Sequence, residues 1–357
     1  MRGSILALGA MLLVAACGGS TSATPSPSSQ QKQPATIKVS LPGLKPAFSQ
    51  SDIAVAEANG FFKEQALTVQ TQGLASGVKT VQSVSSGDSE IGGASIEPVL
   101  AYAAKSPADI TVIGSYADRL PVVMETPGSI TAPAQLKGKT LGIQDVGAFR
   151  EIMTRAILLG AGVDPFADAK YKNTPDTGYV SALLTHQIDS AILQQEQSAD
   201  AEARDPSLHQ LVDLSKFLPD YFYGTYLVKS EWLQSHRDVA TRFLTAITKA
   251  HRLIYSNRAK VVPQIAEATG FSQDLTNKAY DRLIVQDGVF PVNEGLEAKR
   301  LSGTVTRMTD LDAKAKADVP KLLPQGGPNL GKLVDRGPIQ AAVKEAGGPM
   351  KGDARWH

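Results

Sequence analysis

Among residue types that do chemistry, the chain is most distinctive in what it holds once. Its 357 residues include a single cysteine, Cys17, so neither an intramolecular disulfide nor a cysteine-based zinc site can form. The five histidines, His186, His209, His236, His251 and His357, are scattered and never fall at metal-ligand spacing, and no metal is expected. HExxH, a Walker A glycine loop, a nucleophile elbow and GxGxxG are all missing from the sequence, so no cofactor is expected and no catalytic residue is nominated. What remains suits the recognition of a small molecule: hydroxyls and carboxamides for hydrogen bonds, rings for stacking, glycines for close backbone approach. These groups gather in short runs. They are LPGLKPAFSQSD with Pro42 and Phe48, Ser76-Gly77, Ser95 with Glu97, Tyr116, GIQDVGAF with Gly147, Ala148 and Phe149, LQQEQ with Gln194 and Glu196, and DYFYGTY with Tyr223.

Elements must bring these runs together. TIKVSL alternates Ile37, Val39 and Leu41 against polar residues, the period of a strand. SQSDIAVAEANGFFK follows as a helix, with Ser51 as N-cap and Asn59-Gly60 as C-cap. LTVQTQ, SEIGGAS and DITVIGS predict three more strands, separated by helices opening at Ser76-Gly77 and at Ile96. A second set repeats the pattern: PVVME extended, TLGIQ a strand, a helix from Ala148 to Leu159, AKYKNT a strand, TGYVSALLTHQ a helix, DSAIL a strand and EQSADAEAR a helix. PDYFYGTYLVKS then returns as an extended segment, and the rest is mainly helical, its longest helix running from about Arg237 to Asn257. Strands alternating with helices predict an α/β fold built on parallel sheets. Two α/β units joined near residues 116–124 and again near 218–228 predict two lobes with a cleft between them. In such sheets ligands sit beyond the carboxyl ends of the strands, where the runs above fall.

Charge excludes one large class of partner. The chain has 36 Lys+Arg against 35 Asp+Glu, a formal net charge of +1, without the basic surplus that nucleic acid requires. No apolar run is long enough for a retained transmembrane helix of roughly 18 residues or more.

The N-terminus is an address. Arg2, an apolar stretch from Ile5 to Val14, and the small residues Ala15 and Ala16 have the layout of an export signal. Val14-Ala15-Ala16-Cys17 resembles the lipobox of bacterial lipoproteins, in which the chain is cut before the cysteine and the cysteine is acylated. That resemblance implies a signal peptide over 1–16, lipidation of Cys17, and anchoring on the extracytoplasmic side of a bacterial membrane. Loss of Arg2 leaves 35 basic against 35 acidic residues. Residues 17–35, rich in Ser, Pro and Gln, lack the apolar content to fold. They form a tether with a reach of about 20–25 Å.

Within the body, AVAEANGFFKEQALTVQ resembles a segment of the periplasmic solute-binding proteins of the SsuA/ThiY/NMT1-like group, with Ala66 where a glycine is usual. GDSEIGGASIEPVLAYA, LKGKTLGIQDVGAFREIMTRAILLGAGVDP, ALLTHQIDSAIL, YLVKSEWLQSHRDVATRFLTAITKAHRLI and LGKLVDRGPIQAAVKEAG resemble successive blocks of the same group, in the same order, over residues 36–346. The resemblance implies a two-lobed type II periplasmic binding fold, each lobe a mostly parallel sheet flanked by helices. Lobe one would comprise 36–120 and 223–346, lobe two 121–222, and 347–357 a tail. It further implies a small-molecule solute as ligand and an ABC permease with its ATPase as partners, and the expected state is a monomer.

By position, the ligand residues are Pro42, Phe48, Ser76, Gly77, Ser95, Tyr116, Gly147, Ala148, Phe149, Gln194, Glu196 and Tyr223. Ser76 can equally cap its own helix, Phe149 can equally pack in the core, and the LQQEQ run can equally be a solvated helix start. No Arg or Lys stands out in these loops except Arg119 and Arg150, so the site reads as polar and aromatic, suited to a small planar or polar organic solute of pyrimidine-like, aromatic or sulfonate-like kind. Some NMT1-like proteins are thiamine-pyrimidine synthases that use a cysteine-rich segment, which a chain with no cysteine after Cys17 lacks. A ligand sensor serving a signalling partner is a further alternative.

Overall fold

A computed structural model describes residues 32–314, 321–323 and 327–351. The expected signal peptide and Cys17 lie outside the described residues. The chain divides into two compact units, Met1–Gln33 and Pro34–His357, and almost all described residues belong to the second. No helix among the described residues is long and apolar enough to cross a membrane.

The second unit is built on two five-stranded sheets. The first contains β1 (Ala35–Pro42), β2 (Leu67–Leu74), β3 (Ile91–Ser95), β4 (Ile110–Ala117) and β10 (Gly224–Lys229), in the order β2-β1-β3-β10-β4. The second contains β5 (Val122–Pro127), β6 (Thr140–Ile143), β7 (Lys170–Asn173), β8 (Ser190–Gln194) and β9 (Leu208–Asp213), in the order β7-β6-β8-β5-β9. In each sheet four strands run one way and one runs against them: β10 is antiparallel to β3 and β4, and β5 to β8 and β9. Those two reversed strands are the first that each sheet receives after the chain crosses from the other sheet. The mostly parallel, two-lobed α/β architecture is therefore present, with one mixed position per sheet.

Helices cover both faces of each sheet. In β8 the alternation of side chains sends Ile192 into the large core and Ala191 and Leu193 into a smaller one on the opposite face. All residues of β3 and β4 are buried, as expected for strands covered on two sides. The helix Gly77–Ser86 starts at the predicted place, and Ser76 accepts a bond from the Lys79 N–H. Ser51 precedes the helix Asp52–Ala58 without capping it; its hydroxyl donates to the Phe48 carbonyl instead. Two elements differ from expectation in extent. The helix expected over TGYVSALLTHQ is confined to Tyr179–Leu184, and β9 forms where no strand was expected.

Both crossings are tied to the C-terminal helical region. In the first, the Asp118 N–H donates to Val289 O at 3.1 Å and Arg119 donates to Asp287 O at 3.0 Å. In the second, the Phe222 N–H donates to the Thr304 hydroxyl at 2.9 Å and Arg300 to Pro219 O at 2.7 Å, while Tyr221 donates to Glu97, in the helix after β3, at 2.7 Å. These bonds hold the crossing strands while leaving the strand ends open to a common cleft.

Candidate functional site

The carboxyl ends of the two sets of strands face one chamber of about 40 Å³. From the first sheet and its loops come Pro42, Ala47, Gln50, Gly77, Ser95 and Tyr116; from the second come Gln144, Phe149, Arg150 and Gln194. Tyr223, from the crossing that leads into β10, closes the wall. Because β10 runs against its neighbours, the residue before it emerges at the same edge as the ends of β3 and β4. One antiparallel strand thus delivers an aromatic to the site.

The turn after β6 is shaped by Gly147, whose φ of +80° belongs to the left-handed region that favours glycine. Its N–H donates to Glu151 at 3.0 Å, and Arg155 grips the same carboxylate with two bonds of 2.9 and 2.8 Å. Glu151 and Arg155 are buried, so the turn is fixed from beneath. The helix Phe149–Gly160 then aims its first two residues at the chamber. Phe149 lies 4.8 Å from Tyr223 between ring centroids. Arg150 is 3% exposed, its guanidinium lies over the Tyr179 ring at 4.3 Å, and it donates to Ile192 O and Gln197. Stacking on an aromatic face suits a weakly hydrated guanidinium and permits its burial.

At the end of the neighbouring strand β8, the Gln194 carboxamide donates to the Tyr223 hydroxyl at 3.3 Å. Its carbonyl oxygen is buried without a hydrogen-bond partner. A buried acceptor left unmet costs about 1–3 kcal/mol, which marks the spot where a ligand donor would be welcome. Burial pushes the Tyr223 hydroxyl up to about 12, so it stays neutral as a donor and acceptor. Tyr116 is held flat against β10 because residue 224 is glycine: a Cβ there would overlap its ring.

Seven of the twelve residues expected at the ligand line this chamber: Pro42, Gly77, Ser95, Tyr116, Phe149, Gln194 and Tyr223. The other five are placed elsewhere. Ser76 caps its helix. Gly147 and Ala148 shape the turn behind Phe149. The Phe48 ring packs between Tyr280 and Phe290, at 6.4 Å from each. Glu196 accepts from the Phe48 N–H at 2.8 Å. Gln50, Gln144 and Arg150 were not in the expected set. Gln144 directly follows β6, so the strand-end rule alone points to it. Gln50 sits in a short turn whose direction no local pattern sets.

A second cavity of about 290 Å³ shares Gln144 with the chamber. Leu44, Leu74 and Ala75 line it on one side, and Asp145, Asn173, Thr174, Pro175 and Thr177 on the other. A larger groove of about 440 Å³ runs between residues 218–221 and the helix Ala298–Lys314. It is lined by Asp220, Lys299, Ser302, Thr306, Arg307 and Asp310 among others, and it lies away from the strand ends where this fold places its ligands.

The NMT1/THI5-like family model matches residues 48–260, more than half of the chain. The chain belongs to the NMT1/THI5-like family. A sequence relative is YtlA of Bacillus subtilis, which carries the name of a binding protein, 24% identical over 239 residues that cover 64% of this chain and 70% of YtlA. The family fold recurs in the alkanesulfonate-binding protein SsuA from Xanthomonas axonopodis pv. citri bound to MOPS. That structure is 16% identical, covers 85% of this chain and 99% of its own, and has a TM-score of 0.69. The periplasmic nitrate-binding protein NrtA from Synechocystis PCC 6803 is 11% identical over 88% of this chain and 89% of its own, with a TM-score of 0.67. SsuA is named for binding alkanesulfonate and NrtA for binding nitrate; what this chain shares with them is the fold, two mixed sheets flanked by helices.

Proposed function

We propose that this protein is the extracytoplasmic solute-binding subunit of an ABC importer. A lipid at Cys17 holds it to the membrane, and it delivers its cargo, as a monomer, to a permease and its ATPase. Residues 36–120 with 223–346 form one moving body and 121–222 the other. A solute that touches both shifts the population towards the closed form. The observation that carries this reading is the convergence of strand ends from both sheets on one chamber.

The lining favours a small organic solute with a planar or polar head. Carboxamides at Gln50, Gln144 and Gln194 offer donors and acceptors together, Phe149 and Tyr223 offer ring faces, and Arg150 adds a cation. The last is more than the polar and aromatic expectation contained, and it suits a head with an anionic or acceptor edge. A chamber of about 40 Å³ is far smaller than the roughly 300–1,000 Å³ of small-molecule sites, so it receives a head group only. The adjoining cavity of about 290 Å³ takes the body. A cavity near 300 Å³ is at the lower end for small-molecule sites.

Thermal-shift screening followed by calorimetry tests this. The expected result is stabilisation by a planar heteroaromatic or aromatic solute, with little from nitrate or taurine. Strong stabilisation by nitrate or taurine, with none from planar organic solutes, would overturn the solute class.

A further inference from the structure

Glu196 lies in the first turn of the helix Gln195–Arg204, on the second sheet's side of the cleft; Phe48 opens the turn Phe48–Gln50, on the first. The Phe48 N–H donates to Glu196 Oε1 at 2.8 Å, joining residues 148 positions apart, and both are buried. An N–H that opens a helical turn has no acceptor within that turn, so it is a directed donor. A carboxylate acceptor makes such a bond charge-assisted and roughly twice as strong as a neutral one.

Both ends are held. The Phe48 ring is locked by Tyr280 and Phe290, so its N–H keeps its direction. Glu196 is 2% exposed and sits where a helix start favours negative charge. Ala47 and Gln50 flank Phe48, Gln194 precedes Glu196 by two positions, and all three line the chamber. The bond therefore spans the cleft at the chamber wall and uses no atom of a solute.

We infer that Glu196 is a positioning residue that clasps the two lobes closed without solute, so that part of the closing is done before cargo arrives. This rests on the two moving bodies of the proposed function. A closed form already populated raises the apparent affinity in proportion to its fraction. Loss of one charge-assisted bond lowers the closed-to-open ratio about tenfold or more.

Small-angle scattering of the full chain tests the clasp, using protein freed of bound small molecules by unfolding and refolding and checked by native mass spectrometry. Wild type is compared with Glu196→Ala and with Glu196→Asp, which keeps the charge and the helix start but falls one methylene short of Phe48. The expected result is a compact wild type and a larger radius of gyration for both variants. Should Glu196→Ala not fold, Glu196→Asp alone decides. A variant as compact as wild type, or a wild type as open as the variants, overturns the clasp. The absence of any small molecule in protein as first purified counts against solute binding instead, and leaves the scattering result standing.

Discussion

Tyr221 donates its hydroxyl to Glu97 Oε1 at 2.7 Å, and both side chains are buried. The bond joins the second crossing to the helix Ile96–Lys105, directly behind Ser95 at the chamber wall. Burial raises the Glu97 carboxyl from 4.5 to about 7, and the bond from Tyr221 offsets only part of that.

The sign of the resulting pH dependence follows. The folded state holds this proton more tightly than the unfolded chain. Stability from Glu97 is therefore fully present below about pH 4.5 and is lost as pH rises through about 7. Glu97→Gln mimics the protonated form and keeps an acceptor for Tyr221. It should be more stable than wild type at pH 8 by about 3 kcal/mol and nearly equal to it at pH 4. Glu125, also raised to about 7 by burial, contributes a second slope in the same window. Denaturant melts at both pH values check this; an unchanged pH dependence in Glu97→Gln would contradict it.

Tyr223→Phe removes the hydroxyl that accepts from Gln194 while keeping the ring that packs on Phe149. Solute affinity should fall about tenfold, with a loss of stability near 1 kcal/mol. Calorimetry with the co-purified solute reads the first and thermal melting the second. Unchanged affinity would remove Tyr223 from the site.

Gly224→Ala should act on the site through packing. Its Cβ would overlap the Tyr116 ring, and overpacking of this kind costs about 1–3 kcal/mol. Displacing Tyr116 also removes one chamber wall. The variant is expected to melt lower and bind solute weakly; wild-type values for both would refute the close approach.

Asp52 ties three elements together. Its carboxylate accepts from the Tyr226 hydroxyl at 2.8 Å and lies 2.9 Å from His251 Nε2, and all three side chains are buried. His251 Nδ1 faces the Pro291 carbonyl at 2.8 Å, an acceptor only, so that nitrogen carries a proton. Asp52→Ala leaves two buried groups unmatched and should cost about 3–5 kcal/mol. Circular dichroism melts would show it, and a loss below 1 kcal/mol would mean that water replaces the carboxylate.

Much of this was legible in the sequence because local chemistry set it. Ile37, Val39 and Leu41 mark β1 by alternation, and Gly60 and Gly87 end helices at positive φ. β9 was not legible: in LHQLVD the apolar Leu208, Leu211 and Val212 break the period of two, as an edge strand with a half-buried face permits. Nor does any local pattern show that β5 and β10 run against their neighbours, since that follows from the chain returning from the other sheet. Within the site, Phe48 and Gln50 share one turn, and only the surrounding aromatic cluster decides that the ring turns inward and the carboxamide faces the cleft. Arg150 lies on an otherwise ordinary helix start, and the Tyr179 ring that receives it is 29 positions away.

The most direct test of solute binding between the lobes is native mass spectrometry of the full chain as purified, beside a variant carrying Arg150→Ala and Gln194→Ala. Wild type is predicted to retain one small molecule that the variant loses while still folded. Equal retention by both, or no retained mass in wild type, would contradict binding at this chamber.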